Sequence, residues 1–424
     1  MPDNAKGLLE TMFAAAVEAV SPERVVAPHL PPAPAGRVLV LGAGKASAAM
    51  AEAVERAWPR ADLHGLVVTR HGHGAPCRKI EIVEAGHPLP DAAGETAARR
   101  ILALAAAAGP DDLVLALISG GGSSLLTLPA PGLTLEDKRA VNLALLRSGA
   151  PIGEINCVRK HLSAVKGGRL ALAAAPARLL TLIISDVVGD DPALVASGPT
   201  LADSTTFAEA RAVLVKRGID QPPAVVAHLR AAHDETPKPG DRRLGPSTTI
   251  TVATAAMALE AAAIFARARG VTPILLGAAI EGEAREAGRA MAEQVLAIIR
   301  GGGARDSPRV LLSGGETTVT VRGRGRGGPN TEFQLALAVE LDGAPGVRAI
   351  ACDTDGVDGS ENNAGALIGD DTLTRARARG LDPRQRLADN DSHGFFAALG
   401  DLVITGPTRT NVSDFRAVLI GTPP

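Results

Sequence analysis

Five stretches of this 424-residue chain gather glycines, hydroxyls and charges where phosphate chemistry could use them. The first is VLVLGAGKASAAM (38–50), a buried strand that turns on Gly42 and Gly44 and enters an alanine-rich helix. A dinucleotide loop would want a third glycine at Ser47. A P-loop would want glycine at Leu39 and Ser or Thr at Ala46. Lys45 is therefore expected in the first turn of a helix, where the dipole disfavours a cation unless both meet the same anion. The next strand ends in Arg70 and His71, where an NAD site would want an acid; an arginine suited to a 2′-phosphate stays open.

The second stretch is LISGGGSSLL (117–126). Gly120, Gly121 and Gly122 between Ser119 and Ser123/Ser124 offer bare backbone N–H groups to phosphate oxygens, and no GxSxG elbow marks a nucleophile. The third, NCVRKHLSAVKGGRL (156–170), packs Arg159, Lys160, His161, Lys166 and Arg169 into one basic run, suited to an acidic substrate. The fourth is acidic: Asp186, Asp190 and Asp191 follow one buried strand, and Asp353, Asp355 and Asp358 follow another. Carboxylates beside phosphate loops are what Mg²⁺ takes, one or two at a time; one could instead serve as a base. The fifth is LLSGGETTVTV (311–321), in which Gly314 and Gly315 are expected to end a strand before Glu316. It leads into RGRGRGGPNTEFQLALA (322–338), where GGPN opens a helix as a further anion-binding end.

Elements must hold these loops. Near-continuous apolar strands alternate with helices opened by Asp91 and Thr134, which predicts a doubly wound parallel sheet. Ligands bind at the carboxyl ends of such strands. A polar, proline-containing stretch (232–247) predicts a boundary between residues 1–235 and 246–424, with a second α/β set beyond it. Aromatics make up 2% of the chain and Tyr is absent, so base-stacking platforms for single-stranded nucleic acid are scarce. The formal net charge of −2 recruits neither nucleic acid nor an anionic membrane, so any anion site must be local. Three distant cysteines support neither a disulfide framework nor a zinc site. The polar N-terminus does not read as an export signal, and no apolar run is long enough to span a bilayer. A cytoplasmic protein is expected.

GAGKA, GHPLPD, SGGGSSLL, VRKHLSAVKGGRLA, ISDVVGDDPALVASGPT, SGGETTVTV, GGPNTEFQLALA, DTDGVDG, NDSHGFF and TGPTRTNVSDF occur in that order. This series resembles the MOFRL-type glycerate 2-kinases, from about residue 8 to the C-terminus. The resemblance implies a Rossmann-like N-terminal domain, a smaller α/β MOFRL domain, and an active site in the inter-domain cleft. It implies ATP- and Mg²⁺-dependent phosphorylation of D-glycerate to 2-phosphoglycerate. Lys45 matches the family's functional lysine. Where the family often has an arginine in GGRNQE, this chain has Pro329, with Arg324 or Arg326 as nearby substitutes. Lys45 and Arg159 are expected to hold the substrate carboxylate or the transferring phosphoryl group. Gly44, Ser119–Ser124, Lys160, Gly314, Gly315 and Glu316 are expected to bind substrate or nucleotide, with Asn330, His393 and Asn411. Asp186, Asp190, Asp353 and Asp355 supply base and metal ligands between them, with Asp190 and Asp353 assigned to Mg²⁺ and Asp186 and Asp355 to catalysis. A homodimer stays open. Two other readings compete: an NAD(P)H-dependent hydroxypyruvate reductase, a label this family has carried, and a non-catalytic sugar-phosphate-binding protein.

Overall fold

The computed structural model describes residues 4–301 and 307–422. Residues 1–3, the start of the polar N-terminal stretch, lie outside it. The chain forms two compact units. One comprises residues 22–185 and 190–252; the other comprises everything described up to Ser21, residues 186–189, and the chain from Ala253 onward.

The first unit is built on β1 (Arg37–Ala43), β2 (Asp62–Arg70), β3 (Glu81–Ala85), β4 (Leu113–Ser119), β5 (Arg178–Ile184) and β6 (Ser247–Ala253). They line up as β3-β2-β1-β4-β5-β6, and β1 runs parallel to β2 and β4, β2 to β3, and β4 to β5. All seven residues of β4 are buried, the signature of a parallel strand covered on both faces. The strand order reverses between β1 and β4. At such a switch point the loops leaving two adjacent strands diverge and open a crevice; here they are the GAGKA and SGGGSS loops. Asp91 caps its helix by accepting from the Gly94 N–H at 2.9 Å. Thr134 opens the helix Leu135–Arg147 in a capping box with Asp137.

The second unit holds a mixed sheet of β7 (Thr272–Glu283), β8 (Arg309–Thr318), β9 (Val347–Asp353), β10 (Gly365–Ile368), β11 (Leu402–Val403) and β12 (Asp414–Ile420), ordered β11-β10-β9-β12-β8-β7. β12 is antiparallel to both β8 and β9. Side chains alternate across a strand. Val418 and Ile420 join the core with the helices Ala284–Arg300 and Pro329–Leu341, while Phe415 faces the helix Asn4–Ala19, its ring 5.6 Å from Phe13.

The units differ from a division at 235/246. The N-terminal helix packs with the C-terminal sheet, and β6 completes the N-terminal one. β8 also does not end at Gly314 and Gly315; it runs on to Thr318. No helix among the described residues is long and apolar enough to cross a membrane.

Candidate functional site

The two loops at the switch point are interlocked. The Lys45 N–H donates to the Gly120 carbonyl at 2.9 Å, and the Ala46 N–H donates to Ser119 Oγ at 2.9 Å. Ser47 Oγ donates to the Leu117 carbonyl, also at 2.9 Å, so the serine in place of a third glycine is tied into the sheet. The helix after β1 is Ser47–Ala57 with Ala46 as N-cap. Lys45 therefore stands just outside the helix, not in its first turn. Gly121 adopts φ +78°, and a Cβ there would come within 3.1 Å of both the Lys45 side chain and the His87 ring. Only glycine allows that approach. Ser123 Oγ lies 2.9 Å from Ser197 Oγ, which donates to Asn156; Ser124 Oγ donates to the Gly121 carbonyl.

Above this loop is a pocket of about 370 Å³ whose polar lining includes Gly121, Ser123, Ser124, Lys138, Arg159 and Lys166, with Arg139 also on its wall, 3.6 Å from Glu136. Lys166 is 1% exposed, and its Nζ donates to the Ala196 carbonyl at 3.2 Å. Arg159 Nε donates to Asn142 Oδ1 at 2.7 Å. Lys138 Nζ is buried without a hydrogen-bond partner among the described residues. Among the described residues, no carboxylate forms an ion pair with any of the three. Burial, with the charge of Arg159, pushes the Lys138 ammonium down to about 7 against a smaller pull from Glu95. Burial also brings Arg159 down to about 10. Lys166 is driven well below the lysine range by burial and by Lys138 and Arg159. Desolvation and like charge act in the same direction here, and an anion from outside is what would relieve both.

The basic run divides. Arg159 and Lys166 line the pocket, but Lys160, expected to bind ligand, is consumed in a buried ion pair with Asp203 at 3.2 Å. His161 Nε2 meets Glu235 at 2.9 Å, and Arg169 pairs with Asp234 at 2.5 Å. Successive helix residues point about 100° apart, so neighbours in sequence serve different surroundings. Lys138 was not among the expected residues. It stands on the apolar stripe of its helix, between Leu135, Val141 and Leu145, and a lysine in that register was the available signal. Asp190 lies in this unit, in a left-handed turn at φ 53°.

The remaining candidates belong to the second unit. Asp186 Oδ2 accepts from Asn411 Nδ2 at 3.0 Å, and its carbonyl accepts from Ser413 Oγ, so two expected residues meet. Asp353 Oδ1 accepts from the Asp355 N–H at 2.8 Å. Asp355 is buried and accepts from the Val357 N–H. Gly315 has φ +136°, and a Cβ there would lie 2.2 Å from the Ile280 carbonyl. Its glycine is thus required by the β7–β8 pairing; Glu316 beside it is exposed.

The helix Pro329–Leu341 is not an open anion site. The N–H groups of Asn330 and Thr331 donate to the two carboxylate oxygens of Asp358, each at 2.9 Å. The chain's own carboxylate fills the helix end. Asn330 Nδ2 donates to Asp414 at 2.6 Å, which fixes the asparagine inside. His393 is buried with neither ring nitrogen hydrogen-bonded among the described residues and lies 3.8 Å from Glu361; Arg326 Nη1 also meets Glu361, at 3.2 Å. No group of three or more His, Cys, Asp or Glu among the described residues is arranged around a metal position.

The model of the domain described as "Domain of unknown function (DUF4147)" matches residues 8–230, and that of the MOFRL family matches 309–414. A protein of Agrobacterium vitis named "Putative hydroxypyruvate reductase" is 56% identical over 99% of this chain and 95% of its own length. The D-glycerate 2-kinase of Thermotoga maritima is 40% identical over 99% of both chains. A crystal structure of glycerate kinase from Thermotoga maritima superposes with a TM-score of 0.87 at 39% identity, covering 99% of this chain and 100% of that one. A Pyrococcus horikoshii structure does so with a TM-score of 0.79 at 35% identity, covering all of both. The chain thus belongs to the family that joins a DUF4147 domain to a MOFRL domain.

Proposed function

We propose that this chain is a glycerate 2-kinase that transfers the γ-phosphoryl group of ATP to the 2-hydroxyl of D-glycerate. The observation that carries the reading is the meeting of Lys138, Arg159 and Lys166 over the glycine–serine loop, none of them ion-paired to a carboxylate among the described residues. Phosphoryl transfer is mostly positioning and charge neutralisation, and likeness to proteins named glycerate kinase supports the acceptor. The 2-hydroxyl oxygen attacks the γ-phosphorus, the bond to the β,γ-bridging oxygen breaks, and ADP leaves. The hydroxyl proton passes to a carboxylate, for which Asp186 and Asp355 are the candidates. Lys45, lying along Gly121, holds the substrate carboxylate or the moving phosphoryl group. Mg²⁺ takes one or two protein carboxylates and completes its shell with phosphate oxygens and water. Asp190 and Asp353 are carboxylates of that kind, and the ion would neutralise phosphate charge.

Relatives at 56% and 53% identity carry the reductase name, so the test must separate the two chemistries. Purified protein given ATP, Mg²⁺ and D-glycerate should form 2-phosphoglycerate, identified by phosphorus NMR. Oxidation of NADH or NADPH by hydroxypyruvate, with no phosphorylated product from glycerate, overturns the kinase reading. Formation of 3-phosphoglycerate overturns the regiochemistry alone.

A further inference from the structure

Two properties of the pocket over the glycine–serine loop do not fit glycerate. The first is charge. Glycerate brings one negative charge and can hold only one of the three basic groups Lys138, Arg159 and Lys166 in its charged form. A triphosphate brings three or four. The second is its rim. Leu143 and Leu146 are 47% and 55% exposed, and Leu89 is 73% exposed, yet all three line this same pocket. Large apolar side chains at the mouth and buried cations at the floor make an amphipathic seat. Its volume of about 370 Å³ lies within the range of about 300–1,000 Å³ that encloses a drug-sized ligand.

We infer that this pocket in the N-terminal unit seats the nucleoside triphosphate, its phosphates on Lys138, Arg159 and Lys166 and its base against Leu89, Leu143 and Leu146. The inference rests on the kinase reading and adds to it which unit holds the nucleotide and by which groups. Burial and the neighbouring basic groups lower the proton affinity of Lys138 and Lys166. A polyanion reverses both effects, so the site is matched to a ligand of high charge. Phosphate contacts and base contacts come from different residues and can be removed separately.

Isothermal calorimetry tests this with three probes: a non-hydrolysable ATP analogue, inorganic tripolyphosphate, and D-glycerate. Lys138→Met should weaken the analogue and tripolyphosphate at least about tenfold and leave glycerate unchanged. Leu143→Ser should weaken the analogue and leave tripolyphosphate unchanged. Circular dichroism melts establish that each variant is folded. A thermal shift with tripolyphosphate, present in the wild type and absent in Lys138→Met, reads the same contact independently. Loss of glycerate binding in Lys138→Met with nucleotide binding intact overturns the inference and makes this the acceptor site. Failure of the wild type to bind the analogue also overturns it. If the analogue binds here but no phosphoglycerate forms in the enzyme assay, the kinase reading falls and the nucleotide site stands.

Discussion

Lys45 is placed by its backbone, which donates to Gly120, and its side chain lies along the α-carbon of Gly121. Lys45→Ala should leave that backbone bond intact and lower turnover at least about tenfold, roughly 1.4 kcal/mol of transition-state stabilisation. Near-wild-type turnover removes it from the mechanism. Lys138 gives a pH dependence. Its ammonium, brought down to about 7, is lowered by burial and by Arg159 and raised by Glu95. A bound polyanion raises it, so binding takes up a proton and weakens as pH rises above about 7. Calorimetry of tripolyphosphate at pH 8 in buffers of different ionisation enthalpy should read an uptake on the order of one proton, smaller in Lys138→Met. Equal uptake in both proteins sinks the assignment. The place of Lys45 at a strand end was legible because Gly42 and Gly44 stand just before it. Lys138 was harder, because a solvated lysine and one turned inward share a letter and differ only in register.

At the scale of the element, most strands and helices were legible because parallel strands read as unbroken apolar runs and caps stand at their starts. The helix Pro329–Leu341 shows where that reading stops. GGPN has the form of an anion-binding end, but the anion is Asp358, about thirty residues away in sequence, and pairing over such a distance leaves no local signal. Burial, with the nearby Asp414 charge, raises the Asp358 carboxyl to about 6 against the pull of the Thr331 and Asn330 donors. The sign follows from that raised value. A carboxyl whose folded proton affinity exceeds its unfolded one favours the fold below pH 4, and that contribution is lost as pH rises through 6. The shift corresponds to about 3 kcal/mol at most. Asp358→Asn keeps an acceptor for the helix end and does not ionise. Urea unfolding followed by circular dichroism should therefore show wild-type stability falling relative to the variant between pH 4 and 7. Parallel profiles would mean that Asp358 is not a buried, reluctant carboxylate.

At the scale of the molecule, local charge and net charge part company: a chain of formal charge −2 gathers Lys138, Arg139, Arg159 and Lys166 around one pocket. The order of the chain and the composition of its units part company too. A helix with an apolar face at the N-terminus looks like the start of the first domain, because sequence proximity is the only guide before folding. In the structure, Leu9, Met12, Phe13 and Ala16 are buried, and Phe13 meets Phe415 of β12. The residues that begin the chain therefore cover one face of the sheet that ends it, and Lys6 adds an ion pair to Asp401 at 3.0 Å. Removing a buried aromatic ring costs about 3–5 kcal/mol, and the loss should fall on the unit that contains its partner. Phe13→Ala is expected to speed amide hydrogen exchange in peptides from β9 and β12 while those from β1 and β4 keep wild-type protection. Exchange measured by mass spectrometry resolves both sets in one experiment. Faster exchange in β1 and β4, with β9 and β12 unmoved, would return the N-terminal helix to the unit that follows it in sequence.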